Sequence, residues 1–180
     1  MKIGVISDTH VPDRSPVLPA RIGELFKGLD IILHAGDISE LYVLKEFQEA
    51  YTLTFAVAGE DDSAEVHEYL DEKRVVRFGE RRIGMIHGHQ FEEMQRASGA
   101  LRRLLGRRPE PGALQAFLLE QFEEEVDAIV FGHTHQPYVR THGGVLMFNP
   151  GSAVPESGQP SSVGILDMGK RNITGRIAYL

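Results

Sequence analysis

The sequence predicts an α/β fold built from two β-sheets with helices outside them. Three observations carry that expectation. Short apolar, β-branched runs alternate with stretches of helical period through the first half of the chain. Five of those runs end in Asp, His or Glu beside a glycine or another small residue. The last third holds short runs with tight connections, which suit antiparallel strands.

The elements follow in order. The first strand is expected over 2–7 (KIGVIS), ending at Asp8. A loop with Pro12, Pro16 and Pro19 leads to a helix over 20–29, whose Ile22, Leu25, Phe26 and Leu29 share a face. A second strand spans 30–37 (DIILHAGD), and a helix over 40–50 sets Leu41, Leu44 and Phe47 in register. The third strand is 52–59 (TLTFAVAG), with a short helix near 64–70 after it. Strands at 75–78 and 82–89 are joined by a charged turn. From Phe91 to Val126 the period is helical and is broken at 106–112 (GRRPEPG), which predicts a helical hairpin. Runs at 128–133, 138–142, 145–149, 162–168 and 173–180 read as antiparallel strands, with Gly143 and Gly144 as a hairpin turn. The absence of a repeat or linker makes one domain over 1–180 the simplest organisation.

Composition narrows the function. The chain has 180 residues, 42% hydrophobic and 25% charged, as expected of a globular protein with a sizeable core. A net charge of -7 argues against broad nucleic-acid binding. The lack of cysteine excludes disulfides, thiolate metal sites and Cys nucleophiles. No run approaches a membrane span, and the acid and His within the first ten residues do not suit a signal peptide, so a cytoplasmic location is expected.

The ends of the apolar runs carry the chemistry. SDTH supplies Asp8 and His10, AGD supplies Asp37, GEDD supplies Glu60, HGH supplies His87 and His89, and GHTH supplies His133 and His135. Ligands of α/β sheets gather at the carboxyl ends of strands, so these groups are expected to converge. In an extended segment residues two apart point the same way, which would pair Asp8 with His10 and His133 with His135. Carboxylates gathered at one point repel unless a cation lies between them. Mixed imidazole and carboxylate ligation suits Mn, Fe, Zn, Co or Ni, and seven candidate ligands (these groups without His89) exceed what one ion takes. Two metals about 3.5–4 Å apart are the economical expectation.

The ordered set D-x-H, GD, G-E-x-D, HGH and GHTH, with NPGS at 149–152, resembles the calcineurin-like metallophosphoesterases, in particular their small bacterial and archaeal phosphodiesterase branch. The resemblance implies two mixed β-sheets packed face to face with helices outside. It implies a hydrolase for small phosphodiesters, with two divalent metals (manganese first; Ni, Fe, Zn or Co otherwise) and a bridging hydroxide that attacks phosphorus. Asp8, His10 and His135 would bind the first metal, Asp37 would bridge, and His87, His133 and Glu60 would bind the second. A small phosphate ester is then the partner, with neither membrane nor nucleic acid, and a homo-oligomer is left open.

Two positions depart from the family pattern. Glu60 stands where the family carries Asn, and Asp61 where other members place His or Cys. An ionised Glu60 lowers the net charge of ligands and two metals from about +2 to about +1, so metal is held more firmly and acts as a weaker Lewis acid. Asp61 and His89 are the candidate catalytic groups, with His89 as a source of help to the leaving group. Asp62 is expected to tie the loop or to cap the next helix. His34 reads as a core or supporting histidine, and His67 and His142 as surface. Arg96, Arg102, Arg103, Arg107 and Arg108 form either a solvated helix face or a phosphate-attracting rim. Leu114, Phe117, Leu118 and Phe122 read as packing, and Asn149 as part of a turn near the metals. The rival expectation is a protein-interaction scaffold: a eukaryotic retromer subunit shares the fold and has lost activity by replacing ligands. Glu60 leans that way, and the retained Asp and His set leans against it.

Overall fold

The computed structural model describes residues 1–51, 53–96, 112–155, 158–170 and 172–180. Its strands are β1 Lys2–Ile6, β2 Ile31–His34, β3 Leu53–Ala56, β4 Lys73–Phe78, β5 Arg81–Ile86, β6 Ala128–Val130, β7 Tyr138–His142, β8 Val145–Asn149, β9 Ser162–Met168 and β10 Ile173–Tyr179. The helices are α1 Arg21–Leu25, α2 Leu41–Ala50, α3 Ala64–Tyr69, α4, described over 90–96, and α5 Ala113–Glu120. No described helix is long and apolar enough to cross a membrane.

Two five-stranded sheets result, ordered β10-β9-β1-β2-β3 and β4-β5-β6-β8-β7. In the first, β1, β2 and β3 run parallel while β9 and β10 are antiparallel additions. In the second, β5, β6 and β8 run parallel, flanked by antiparallel β4 and β7.

Period-two alternation explains the layering. Ile3 and Val5, Ile31 and Leu33, Ile83 and Met85, and Ala128 and Val130 pack with Phe148 and Leu166 in one core between the sheets. The alternate residues face outward. Ile6, Ile32 and Ala56 meet Ile22, Phe26, Leu44, Phe47 and Val66 of the helical layer on the first sheet. Ile86, Ile129, Phe131 and Met147 meet Leu118, with Leu114, Phe117 and Phe122 against them on the second sheet. Mixed sheets packed face to face with outer helices are the expected fold class.

Several local expectations are corrected. The run at 128–133 is antiparallel to nothing: β6 pairs parallel with both β5 and β8, because the chain crosses over before and after it. The helix expected over 20–29 is only Arg21–Leu25, and Gly28 turns left-handed at φ 77°. The hairpin expected over 91–126 is described as α4 over 90–96 and α5, which stops at Glu120; the intervening residues 97–111 lie outside the described residues. Phe122 leaves the helix and seats its ring on Gly84, where a Cβ would approach it to 2.7 Å. Strands also end earlier than their apolar runs, and the reason lies in the candidate ligands.

The parallel pairings bring the carboxyl ends of β1, β2 and β3 to one edge, and those of β5 and β6 together. Backbone bonds lace the loops: Asp8 N–H donates to Gly36 O at 3.0 Å, and Gly132 N–H to His87 O at 3.0 Å. The His133 N–H donates to Asp8 Oδ1 at 3.2 Å, which joins the two sheets at that edge.

Candidate metal centre

The chain leaves β1, β2 and β6 through left-handed residues. Asp8, His10, Asp37, His133 and His135 have φ of 54°, 43°, 54°, 64° and 54°. Pairing of Asp8 with His10, and of His133 with His135, therefore does not come from an extended segment. Such residues cost about 1–3 kcal/mol each and persist where surroundings over-determine them. Here the N–H groups of Thr9 and His10 both donate to Asp37 O, at 2.9 and 3.1 Å. Asn149 Nδ2 donates to Gly132 O at 2.7 Å, and its Oδ1 accepts from Gly151 N–H at 2.8 Å. Asn149 thus holds the GHTH loop by its backbone rather than facing the cluster.

Asp8, His10, Asp37 and His135 each offer a ligand atom, all within 4.8 Å of one another. His135 Nε2 lies 3.0 Å from Asp8 Oδ1. Asp37 Oδ2 stands between His10 Nε2 at 3.5 Å and His87 Nε2 at 3.3 Å. One carboxylate oxygen therefore faces two groups of imidazoles. On the second side the His87 and His133 ring centroids are 5.5 Å apart, and His133 Nδ1 is 3.0 Å from Glu60 Oε1. Thus His87 borders both groups, and Glu60 joins through His133. His89 is buried beside them, 5.6 Å from His87 and 6.4 Å from His133 between centroids.

These residues fit divalent metals. His10 Nε2, His87 Nε2, His89 Nδ1 and His133 Nε2 are buried with no hydrogen-bond partner among the described residues, which is costly unless something else engages them. The donor set is mixed nitrogen and oxygen, suited to borderline transition ions. His87 Nδ1 donates to Ala35 O at 2.8 Å, which fixes the ring so that Nε2 faces Asp37.

The electrostatics are those of closely paired acids and imidazoles. Burial alone would raise the Asp37 pKa, but the contact with His87, the Asp61 N–H and His10 hold it well below the usual carboxylate range. Burial also raises Asp8, and the His135 contact with the charges of His87 and His135 outweighs it. Burial lowers the His87 pKa, yet Asp37 and Asp8 raise it to about 9. His89 is lowered by burial and by His87.

The acidic run 60–62 divides into three roles. Asp62 ties two loops: its Oδ1 accepts from Ile38 N–H at 2.5 Å and Ser39 N–H at 2.7 Å, and Oδ2 from Gly59 N–H at 2.7 Å. It does not cap α3, whose N-cap is Ser63. Gly59 lets the loops meet, since a Cβ there would lie 2.1 Å from Asp37 Oδ1. Asp61 reaches the cluster through its backbone, donating its N–H to Asp37 Oδ1 at 3.0 Å, while its carboxylate takes Arg14 Nη2 at 2.7 Å. Glu60 sends its carboxylate to His133, at 3.0 Å, and the Asp61 carboxylate stands 3.9 Å from His10 Nδ1.

His34 stands behind the cluster. It is buried, touches Thr9 Oγ1 at 3.1 Å through Nε2, and burial lowers its pKa to about 3. His67 is exposed, whereas His142 is half-buried and meets the Tyr138 hydroxyl at 2.6 Å. Arg96 pairs with Glu92 at 3.0 Å; Arg102, Arg103, Arg107 and Arg108 lie outside the described residues. Two neighbours went unread in the sequence. Arg14 comes from the proline-rich loop, and Glu92 places Oε1 3.4 Å from His133 Nε2. Only the left-over charge in otherwise motif-free stretches could have pointed to them.

The chain is similar to several known proteins. The profile of the calcineurin-like phosphoesterase superfamily domain matches residues 1–171. A probable metallophosphoesterase of Methanothermobacter thermautotrophicus is 32% identical over 162 residues, which cover 89% of this chain and 83% of the relative. A phosphodiesterase of Methanocaldococcus jannaschii is 26% identical over 184 residues, covering 95% of each. The solved structure of vacuolar protein sorting 29 from Cryptosporidium parvum superposes with a TM-score of 0.70, covering 99% of this chain and 97% of that one. At 22% identity that likeness shows the fold alone.

Proposed function

The chain belongs to the calcineurin-like phosphoesterase superfamily, and on that premise we propose that it is a two-metal phosphoesterase acting on small phosphodiesters. The observation that carries the proposal is Asp37 Oδ2, placed between His10 Nε2 at 3.5 Å and His87 Nε2 at 3.3 Å. A carboxylate so shared suits a bridge between two ions. Asp8, His10 and His135 would hold one ion with it, and His87, His133 and Glu60 the other. A divalent pair so held supplies Lewis acidity, activates water and stabilises charge on the phosphoryl oxygens.

The chain's own residues prepare that chemistry. Ala35 O orients His87, Asn149 and Thr134 hold the loop of His133 and His135, and Asp62 binds the loops of Asp37 and Glu60 to each other. His89, buried beside His87 and His133 with its pKa lowered by burial and by His87, would offer an imidazole N–H to the leaving group. The retention of the whole Asp and His set, with four buried imidazole nitrogens that lack hydrogen-bond partners among the described residues, supports an enzyme over a scaffold on the same fold.

Purified protein assayed with bis(p-nitrophenyl) phosphate and p-nitrophenyl phosphate, across Mn, Ni, Co, Zn and Fe, tests the proposal. Diester hydrolysis that needs added metal and disappears in His133→Ala is expected. No hydrolysis of either ester with any ion would favour the scaffold.

A further inference from the structure

Loop 8–20 brings a guanidinium to the rim of the centre. Arg14 Nη2 donates to Asp61 Oδ2 at 2.7 Å, and the Arg14 N–H donates to His10 O at 2.8 Å. Asp61 Oδ2 is 3.9 Å from His10 Nδ1, and the Asp61 N–H bonds the shared carboxylate of Asp37. Arg14 is thus joined to the cluster through the carboxylate and the N–H of Asp61. Around it the rim is acidic: the side chains of Glu60, Asp61 and Glu92 are 33%, 48% and 53% exposed. An approaching phosphate ester meets these carboxylates, with Arg14 as a cation beside Asp61.

We infer that Arg14 anchors the anionic oxygens of the substrate and that Asp61 is its positioning residue. The inference rests on the phosphoesterase reading and deepens it. The Asp61 carboxylate recruits this guanidinium from a loop 47 positions away. A guanidinium is planar, always charged, and matches two phosphoryl oxygens with parallel N–H groups. It donates hydrogen bonds but no proton. The pair thus supplies binding and charge stabilisation rather than acid help.

A purely structural reading of the same pair predicts little, because an exposed ion pair contributes almost nothing to stability. The test is calorimetric titration of inorganic phosphate into manganese-loaded protein, with metal content and Tm measured on each variant. R14Q and D61N are each expected to weaken phosphate binding about 10- to 100-fold, the range of a charge-assisted hydrogen bond. The R14Q/D61N double variant should bind no more weakly than R14Q, since Asp61 acts through Arg14. D61E should restore most of the affinity and R14K only part of it, with metal content and Tm unmoved throughout. Metal-loaded R14Q that binds phosphate like the wild type overturns the inference and leaves the phosphoesterase reading standing. Wild-type protein that takes up no metal overturns that reading and the inference together.

Discussion

Asp62 is the residue on which the two loops of the centre depend, and Asp62→Ala is the sharpest probe of that dependence. Its carboxylate accepts three N–H groups, from Ile38, Ser39 and Gly59, at 2.5, 2.7 and 2.7 Å. All three donors belong to buried residues. Alanine removes the acceptor and leaves each N–H without it, at about 1–3 kcal/mol per group. Burial raises the Asp62 pKa, so the ionised carboxylate itself carries a desolvation cost that alanine relieves. The net loss is then in the lower half of the summed range, about 3–6 kcal/mol, a large part of a typical domain's stability. Asp62→Asn keeps one acceptor oxygen for Ile38 and Ser39 and turns an amide toward Gly59, so its loss should be about 1–3 kcal/mol. Urea unfolding of the three proteins measures this, with manganese affinity read in parallel. Asp62→Ala should lose metal affinity as well, since Asp37 and Glu60 sit on the loops it frees. A loss below about 1 kcal/mol in Asp62→Ala would refute the view that this carboxylate holds the site together.

Three further outcomes are expected. His34 is kept neutral, with a pKa of about 3 against 6.5, so the unfolded chain binds a proton that the folded one does not between those values. Stability from this source is full above pH 6.5 and falls as pH drops toward 3, by at most about 5 kcal/mol. Urea midpoints of His34→Gln should fall less steeply than wild type from pH 7 to 4; parallel curves would be the wrong result. His87 behaves oppositely: with a pKa of about 9, its charge stabilises metal-free protein fully below pH 6.5, and that contribution is lost as pH rises through 9. Metal must displace this proton, so manganese affinity measured by calorimetry should rise between pH 6.5 and about 9, with proton release visible in buffers of different ionisation enthalpy. Glu60→Asn removes one ligand charge and should raise diesterase turnover with Mn or Ni while loosening metal; lower turnover would show that Glu60 is not a compromise ligand.

Much of this was legible in the residues because strand ends carry their chemistry in short, ordered words. SDTH, AGD, GEDD, HGH and GHTH each follow an apolar run, and parallel pairing then leaves them one edge to meet at. Period two in Ile3 and Val5, or Ile83 and Met85, separates the inner from the outer face of each sheet. The conformation of the loops was not legible. Asp8, His10, Asp37, His133 and His135 are left-handed without being glycine; Asp and His tolerate that state better than most residues, but the bonds that select it here come from Gly36, Asp37, Asn149 and other distant groups. Helix ends were misjudged where tertiary packing overrode period, as when Phe122 leaves the helical run to cover Gly84. Arg14 and Glu92 carry no motif at all. Their place depends on contacts with Asp61 and His133, 47 and 41 positions along the chain.

The number of divalent ions bound per chain tests the central claim most directly. Metal-free protein titrated with manganese, and checked by elemental analysis after dialysis, should bind about two ions. His133→Ala should keep the ion that Asp8, His10, Asp37 and His135 would hold on the proposed reading and lose the other. Wild-type protein that saturates with a single ion, or that holds the same number when His133 is removed, would contradict a centre bridged by Asp37.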